Sequence, residues 1–169
     1  MAVDVRWAAT GDAAALAAML CEMAVHYRQP PLDASQALSA AQKWLGDESP
    51  AYPHFALALV DGEVCGLASV AIAHPGIDLE RLLFLKDLFV RDDARNGGVG
   101  RALMAFLAGH CLRAGIGRID LTTEDWNERA LRFYDGLGAE RHGQKVFLRL
   151  SSEALKAVAA GSSTRSWKP

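Results

Sequence analysis

One continuous stretch, residues 82–103, constrains the fold of this chain more than any other. Its first part, Leu82–Val90, is almost entirely apolar and predicts a buried β-strand. A short polar turn, a glycine-rich segment and an apolar helical pattern over Val99–Ala114 follow. Glycines at such a junction leave the backbone bare, and the first N–H groups of a helix have no partner within it. The stretch predicts an anion-binding loop suited to phosphate or pyrophosphate, against the alternative of a plain tight turn.

The spacing of the glycines narrows the kind of anion site. No Lys-Ser or Lys-Thr follows the last glycine, so the loop is not the Walker type of nucleoside triphosphate site. The order Gly97, Gly98, Gly100 also differs from the dinucleotide fingerprint, which opens a βαβ unit. What remains is Arg-x-x-Gly-x-Gly, running from Arg95 to Gly100 after a strand.

Composition limits the function classes. The 169 residues are 51% hydrophobic and 22% charged, which is typical of one globular domain. A formal net charge of −2 argues against a nucleic-acid binder, which would carry a basic excess. Cys21, Cys65 and Cys111 are widely spaced in apolar contexts, so we expect buried free thiols and no metal site. No apolar run reaches about 18 residues and the N-terminus does not resemble a secretion signal, so we expect a cytoplasmic protein without a membrane partner.

Hydrophobic periodicity predicts the order βααβββαβαβ and a short tail helix, with 78–81 counted as the entry to a strand. The predicted strands cover residues 3–8, 54–60, 63–74, 82–90, 118–123 and 145–150. The predicted helices cover residues 13–27, 34–45, 99–114 and 127–137, and a short helix starts at 151–153. This order indicates an α/β protein with a mixed sheet. We expect one domain over residues 1–160 and a flexible tail over 161–169.

A second constellation lies in residues 124–139. Asn127, Ala130 and Tyr134 are three and four residues apart and share one face of a predicted helix. Ala130 leaves room beside a bound group, and the Asn127 amide can both donate and accept hydrogen bonds. The competing interpretation is that Phe133 and Tyr134 simply pack the helix on the sheet.

Together the two segments resemble the GCN5-related N-acetyltransferases (GNAT family). Arg-x-x-Gly-x-Gly is similar to the family's motif A and Asn-x-x-Ala-x-x-Phe-Tyr-x-x-Leu-Gly-Ala to its motif B. The resemblance covers residues 82–139, about a third of the chain. It implies a GNAT-type mixed, mostly antiparallel central sheet with flanking helices, in which the strands holding Val90 and Leu121 splay at a bulge. It also implies acetyl coenzyme A as co-substrate and a homodimer.

The resemblance assigns residues to the site. Tyr134 is implied as the general acid that protonates the leaving thiolate. The residues implied in cofactor binding are Leu88, Phe89, Val90, Arg95, Asn96, Gly97, Gly98, Val99, Gly100, Arg101, Asn127 and Tyr134.

A closer resemblance is to the diamine and polyamine (spermidine/spermine-type) branch. It is carried by Leu85-Lys86-Asp87-Leu88-Phe89-Val90, by residues 124–128 and by residues 146–151. That branch usually has Glu where this chain has Lys86, and the Glu assists deprotonation of the amine. Asp87 is one substitute, although successive strand residues face opposite sides unless a bulge re-aims them. A water relay is the other.

The resulting hypothesis is direct acetyl transfer to a primary amine of a small molecule, polyamine- or diamine-like or amino-acid-like. No cysteine lies in a motif, so no acetyl-cysteine intermediate is expected. Two alternatives stay open. One is a non-catalytic sensor that binds acetyl coenzyme A, and the other is an enzyme acting on protein N-termini or lysines.

Overall fold

The computed structural model describes residues 2–47, 52–74 and 79–160. These residues fall into two compact units, one within residues 1–122 and one from residue 123 onward. The first unit holds the β-sheet and three helices, and the second holds two helices. The expected single domain over 1–160 remains a prediction.

The described elements follow the predicted order closely up to residue 135. The strands are β1 (Val3–Trp7), β2 (His54–Val60), β3 (Glu63–Ala73), β4 (Leu82–Val90) and β5 (Arg118–Leu121). The helices are α1 (Ala13–His26), α2 (Ala34–Gly46), α3 (Val99–Ala114), α4 (Glu128–Asp135) and α5 (Ser152–Ala160). Short 3-10 turns occupy Thr10–Asp12 and Asp92–Ala94.

The five strands form one sheet in the order β1-β2-β3-β4-β5. Neighbours from β1 to β4 pair antiparallel, and β4 pairs with β5 in parallel. The predicted mixed, mostly antiparallel sheet with flanking helices is therefore confirmed. The parallel pairing joins Leu82–Leu85 of β4 to Arg118–Leu121, and no described strand continues it along the rest of β4.

Local signals explain why the chain turns where it does. Asp61 and Gly62 have φ angles of 51° and 84°, the conformation of a two-residue hairpin between β2 and β3. The Asp33 carboxylate accepts from the Gln36 N–H at 2.9 Å and caps α2. Gly115, with φ of 63°, ends α3 in the left-handed conformation that glycine adopts without strain.

The two faces of the sheet are covered by different helices. On one face α1 and α2 bury Leu16 and Ala41 against Phe55, Leu57 and Leu67 of the central strands. On the other face α3 packs on the sheet through its buried side chains, Val99, Leu103, Leu107 and Cys111. Burying apolar surface at about 25 cal/mol per Å² makes these two layers the main source of stability.

One predicted element is wrong. Residues 145–150 alternate apolar and polar residues, but they form no strand in the structure. Val146, Phe147, Leu148 and Leu150 are exposed. Alternation shows that a segment would suit a half-buried strand, and it cannot show that a sheet edge is there to pair with it. Pro75-Gly76, which by sequence closes the predicted strand over 63–74, and the predicted tail over 161–169 lie outside the described residues.

Within residues 2–47, 52–74 and 79–160, no helix is both long and apolar enough to cross a bilayer.

Candidate active site

A β-bulge in β4 sets the direction of the side chains that matter most. Asp87 pairs with Ser69 of β3, whereas the next pair joins Leu85 to Val70, so Lys86 is an extra residue without a partner. The extra residue moves the following side chains to the other face of the sheet. Leu83 and Leu85 therefore lie on the face covered by α3, and Asp87 shares the face of Phe89 and α1.

The bulge brings Lys86 and Asp87 together. In a regular strand these neighbours would point to opposite faces, but here Lys86 Nζ lies 3.6 Å from Asp87 Oδ1. The buried Ser69 hydroxyl of the neighbouring strand β3 donates to Asp87 Oδ2 at 2.6 Å and holds the carboxylate in place. The Asp87 side chain is 29% exposed and that of Lys86 is 69% exposed. The result is a held carboxylate with an exposed ammonium beside it, both accessible to a ligand.

The C-terminal end of α1 adds an aromatic group to this site. Burial raises the pKa of Tyr27, the nearby Asp87 carboxylate raises it further, and Arg95 lowers it. Tyr27 therefore stays protonated and can donate a hydrogen bond at neutral pH. In the sequence, residues 26–29 are a polar and aromatic cluster that favours a helix end over a site, and nothing in their pattern indicates that they reach β4.

The second half of β4 presents backbone groups on its open side. The Arg91 N–H donates to the backbone oxygen of Cys65 on β3 at 3.0 Å. Because antiparallel pairs alternate, Phe89 also directs its backbone toward β3, whereas Leu88 and Val90 direct theirs toward the side that β5 leaves open. Val90 O accepts from Arg95 Nε at 3.0 Å, so of the three predicted backbone contacts the geometry favours Leu88 and the Val90 N–H.

The glycine-rich segment forms the predicted junction between β4 and α3. Asn96 and Gly98 have φ angles of 67° and 83°, and Gly98 is the N-cap residue without a side-chain cap. The first α3 hydrogen bond runs from Ala102 N to Gly98 O, so the Val99 and Gly100 amides have no acceptor within the helix. A Cβ on Gly98 would meet no atom within 4 Å, which means that the space above the loop is open. This geometry suits an anion, and Arg101 stands exposed on the same first turn.

Arg95 has a different environment from the one expected of a phosphate ligand. Its Nε donates to Val90 O at 3.0 Å, and its guanidinium also contacts Asp92 and, at 3.1 Å, His26 Nδ1. The His26 ring lies 5.6 Å from that of Phe89. Arg95 thus fastens the end of β4 to α1 and to the 3-10 turn. These contacts describe a positioning residue, and a contact of its side chain with pyrophosphate stays a prediction.

Gly66 of β3 was missed by the sequence reasoning although it positions α3. A Cβ there would lie 2.7 Å from Val99 Cγ1 and 3.2 Å from Leu103 Cδ1. Only glycine permits this close approach of the first turn of α3 to the sheet. The available signal was a glycine within an apolar strand, which often marks such an approach.

The second unit carries the other predicted residues. The Asn127 side-chain oxygen accepts from the Ala130 N–H at 3.1 Å and caps α4. Tyr134 is half-buried, and its ring lies edge-on to Phe133 at 5.1 Å. The helix ends at Asp135, two residues before the end of the predicted range 127–137, and Gly136 is its C-cap. Beyond it the Ala139 N–H donates to Tyr134 O, and Gly138 has a φ of 83°.

The structure therefore gathers most of the predicted residues within the first unit. Asp87, the open side of β4 and the glycine loop are contiguous there along residues 87–101. Asn127 and Tyr134 lie together on α4 in the second unit, and their roles remain predictions.

Comparison with known proteins adds independent information. The acetyltransferase (GNAT) family model matches residues 16–139. An L-ornithine N5-acetyltransferase of Arabidopsis thaliana is 29% identical over 100 residues, which cover 59% of this chain and 44% of that protein. A thialysine N-epsilon-acetyltransferase of Bos taurus is 32% identical over 83 residues, covering 47% of this chain and 48% of that protein. The chain thus matches about half the length of these curated relatives.

Among solved structures, an integron cassette protein from the mobile metagenome of V. cholerae superposes with a TM-score of 0.77. It is 26% identical, and the match covers 94% of this chain and 98% of that one.

Proposed function

The chain belongs to the GNAT acetyltransferase family, and from that premise we propose that it transfers the acetyl group of acetyl coenzyme A directly to a primary amine of a small molecule. The observation that carries the proposal is the contiguity of three features in one unit. These are the held Asp87 carboxylate, the open backbone of Leu88 with the Val90 N–H, and the uncapped start of α3.

The residues present fit acetyl coenzyme A. The Gly98 region and the first amides of α3 would hold the pyrophosphate, since an uncapped helix start attracts an anion and no side chain fills the space above Gly98. The Leu88 backbone and the Val90 N–H would pair with the amides of the pantetheine arm, to which Asn127 is also assigned. When bound, acetyl coenzyme A supplies a thioester carbonyl that an amine can attack.

The side chains must then move two protons. A primary amine with a pKa of about 10 is mostly protonated at pH 7, so it must lose a proton before it can attack. Asp87 would take that proton directly or through a water molecule, with Ser69 holding the carboxylate in place. The amine nitrogen bonds to the acetyl carbon as the carbon–sulfur bond breaks, and Tyr134 would give its phenolic proton to the thiolate that leaves.

The relatives support a small amine as acceptor. The activities of these relatives concern L-ornithine and thialysine, each a small molecule with a side-chain amine. We propose an acceptor of this size, amino-acid-like or diamine-like. A homodimer, a cytoplasmic location and a single domain over residues 1–160 are further parts of the proposal, and light scattering of the purified chain tests the first of them.

The test is release of free coenzyme A from acetyl coenzyme A, measured with a thiol reagent in the presence of a panel of amines. Turnover with diamines or amino acids supports the proposal. Tight binding of acetyl coenzyme A without turnover on diamines, amino acids, aminoglycosides or peptides would replace it with the sensor alternative. Turnover on peptides alone would point to a protein acetyltransferase.

A variant tests the role of Tyr134. We expect Tyr134→Phe to lower kcat by about 10²-fold or more with little change in acetyl coenzyme A affinity, because the variant loses the proton and keeps the ring. Tyr52→Phe is the matched control, because it removes a tyrosine hydroxyl in the first unit, just before β2. This variant should keep full turnover. Unchanged turnover in Tyr134→Phe would remove Tyr134 from the mechanism.

A further inference from the structure

Lys86 occupies the position of β4 where a charge can bear directly on the acceptor. It follows Leu85, the last residue of β4 that pairs with β5, and it is the extra residue of the bulge. It therefore stands at the beginning of the open side of the strand. Its side chain is 69% exposed and points to the same place as the Asp87 carboxylate, 3.6 Å away.

The two charges form an asymmetric pair. Asp87 is fixed by the Ser69 hydroxyl at 2.6 Å, whereas the exposed ammonium of Lys86 has a long flexible stem and can move away from Asp87. A ligand amine can replace Lys86 beside Asp87, and Lys86 is then available for an anionic group on the same ligand. A second ammonium at that point would instead be repelled by Lys86.

From this arrangement we infer that Lys86 is a specificity-determining residue, which selects acceptors carrying both an amine and a carboxylate over diamines. The inference rests on the proposed function and names the charge pattern of its substrate. Lys86 binds the carboxylate of the acceptor, and the neighbouring Asp87 faces the amine. Lys86 itself takes no part in proton transfer.

The experiment compares four acceptors of similar length. Ornithine and 1,4-diaminobutane differ only by the carboxylate, 5-aminopentanoate keeps the carboxylate and loses the second amine, and 1-aminobutane has neither group. We expect the wild-type kcat/KM for ornithine to exceed that for 1,4-diaminobutane by about fivefold or more. We also expect the wild-type kcat/KM for 5-aminopentanoate to exceed that for 1-aminobutane, because only the former carries the carboxylate.

Charge reversal at Lys86 provides the decisive measurement. Lys86→Glu should lower the ratio of kcat/KM for ornithine over 1,4-diaminobutane by about tenfold or more, and Lys86→Gln should give an intermediate ratio. Raising the salt concentration should shrink the difference between variants, because the side chain is exposed and its charge is screened. Lys43→Glu, on α2 of the same unit, makes the same change in net charge and should leave the ratio unchanged.

The outcomes separate the two proposals. If amines are acetylated but the ratio is the same in wild type, Lys86→Gln and Lys86→Glu, the inference is overturned and the proposed function stands. If Lys43→Glu changes the ratio as much as Lys86→Glu does, net charge explains the preference and the inference also fails. If the wild-type chain acetylates no amine in any panel, the proposed function fails and takes the inference with it. Should Lys86→Glu not fold, Lys86→Gln decides between the same outcomes.

Discussion

Substituting Gly66 by alanine tests whether the close approach of α3 to the sheet builds the cofactor side of the site. The new Cβ would lie 2.7 Å from Val99 Cγ1 and 3.2 Å from both Ala58 Cβ and Leu103 Cδ1. Overpacking of this kind costs about 1–3 kcal/mol, from which the lower chain entropy of alanine in the unfolded state returns about 0.5–1 kcal/mol. We expect Gly66→Ala to lower the free energy of unfolding by about 1–2 kcal/mol. A displaced first turn of α3 should also raise the KM for acetyl coenzyme A several-fold.

Urea unfolding and acetyl coenzyme A kinetics measure the two effects. Gly46→Ala is the matched control, since a Cβ there meets nothing within 4 Å, and it should be neutral or slightly stabilising. Combining Gly66→Ala with Val99→Ala removes the closest clashing atom. The double variant should therefore lose about 1 kcal/mol less than the sum of the single losses. Strict additivity, or a Gly66→Ala variant as stable as the control, would refute the reasoning.

Two further predictions concern the glycine loop before α3 and the ion pair between Arg6 of β1 and Asp12. Gly98→Ala should raise the KM for acetyl coenzyme A about tenfold or more. Gly98→Ala should also lower the free energy of unfolding by about 1–2 kcal/mol, because alanine is strained at a positive φ. Gly62 in the β2–β3 hairpin has nearly the same φ and equally open surroundings, so Gly62→Ala should show the same stability loss without the change in KM. Hydrogen bonds from Arg6 lower the pKa of Asp12 from 3.8 to about 2, so this carboxylate stabilises the fold above about pH 4, and the contribution is lost as pH falls toward 2. Asp12→Asn should lower the free energy of unfolding, measured with urea, by about 1–2 kcal/mol at pH 7 and by little at pH 2. Glu63→Gln is the control. An equal loss at both pH values in Asp12→Asn, or the same pH dependence in Glu63→Gln, would contradict this.

Sequence patterns predicted the bounds of an element well where residues with special backbone requirements end it. The bounds of β2, β4 and α3 were predicted to the residue, because Asp61-Gly62 and Gly115 have conformational requirements that few other residues meet. The strand over 145–150 was wrong because pairing depends on an available partner edge, which periodicity does not report. In the same way, the sequence indicated a glycine loop but could not show that Arg95 is held by Val90 and His26.

The family resemblance implies a bulge, and its position at Lys86 is the most important feature that the residue pattern does not show. In the pattern of β4, apolar residues occupy both faces, so no alternation shows where the register shifts. In a regular strand of the same sequence, Asp87 would continue the face of Leu83 and Leu85 and bury its carboxylate under α3, where an unpaired charge costs several kcal/mol. A charged residue at that point of a buried strand is therefore compatible with the fold only because the register shifts before it. The same shift turns the carboxylate toward Tyr27, and it follows directly on Leu85, the last residue of β4 that pairs with β5, so the bulge directs the proposed base at the point where the strand becomes open.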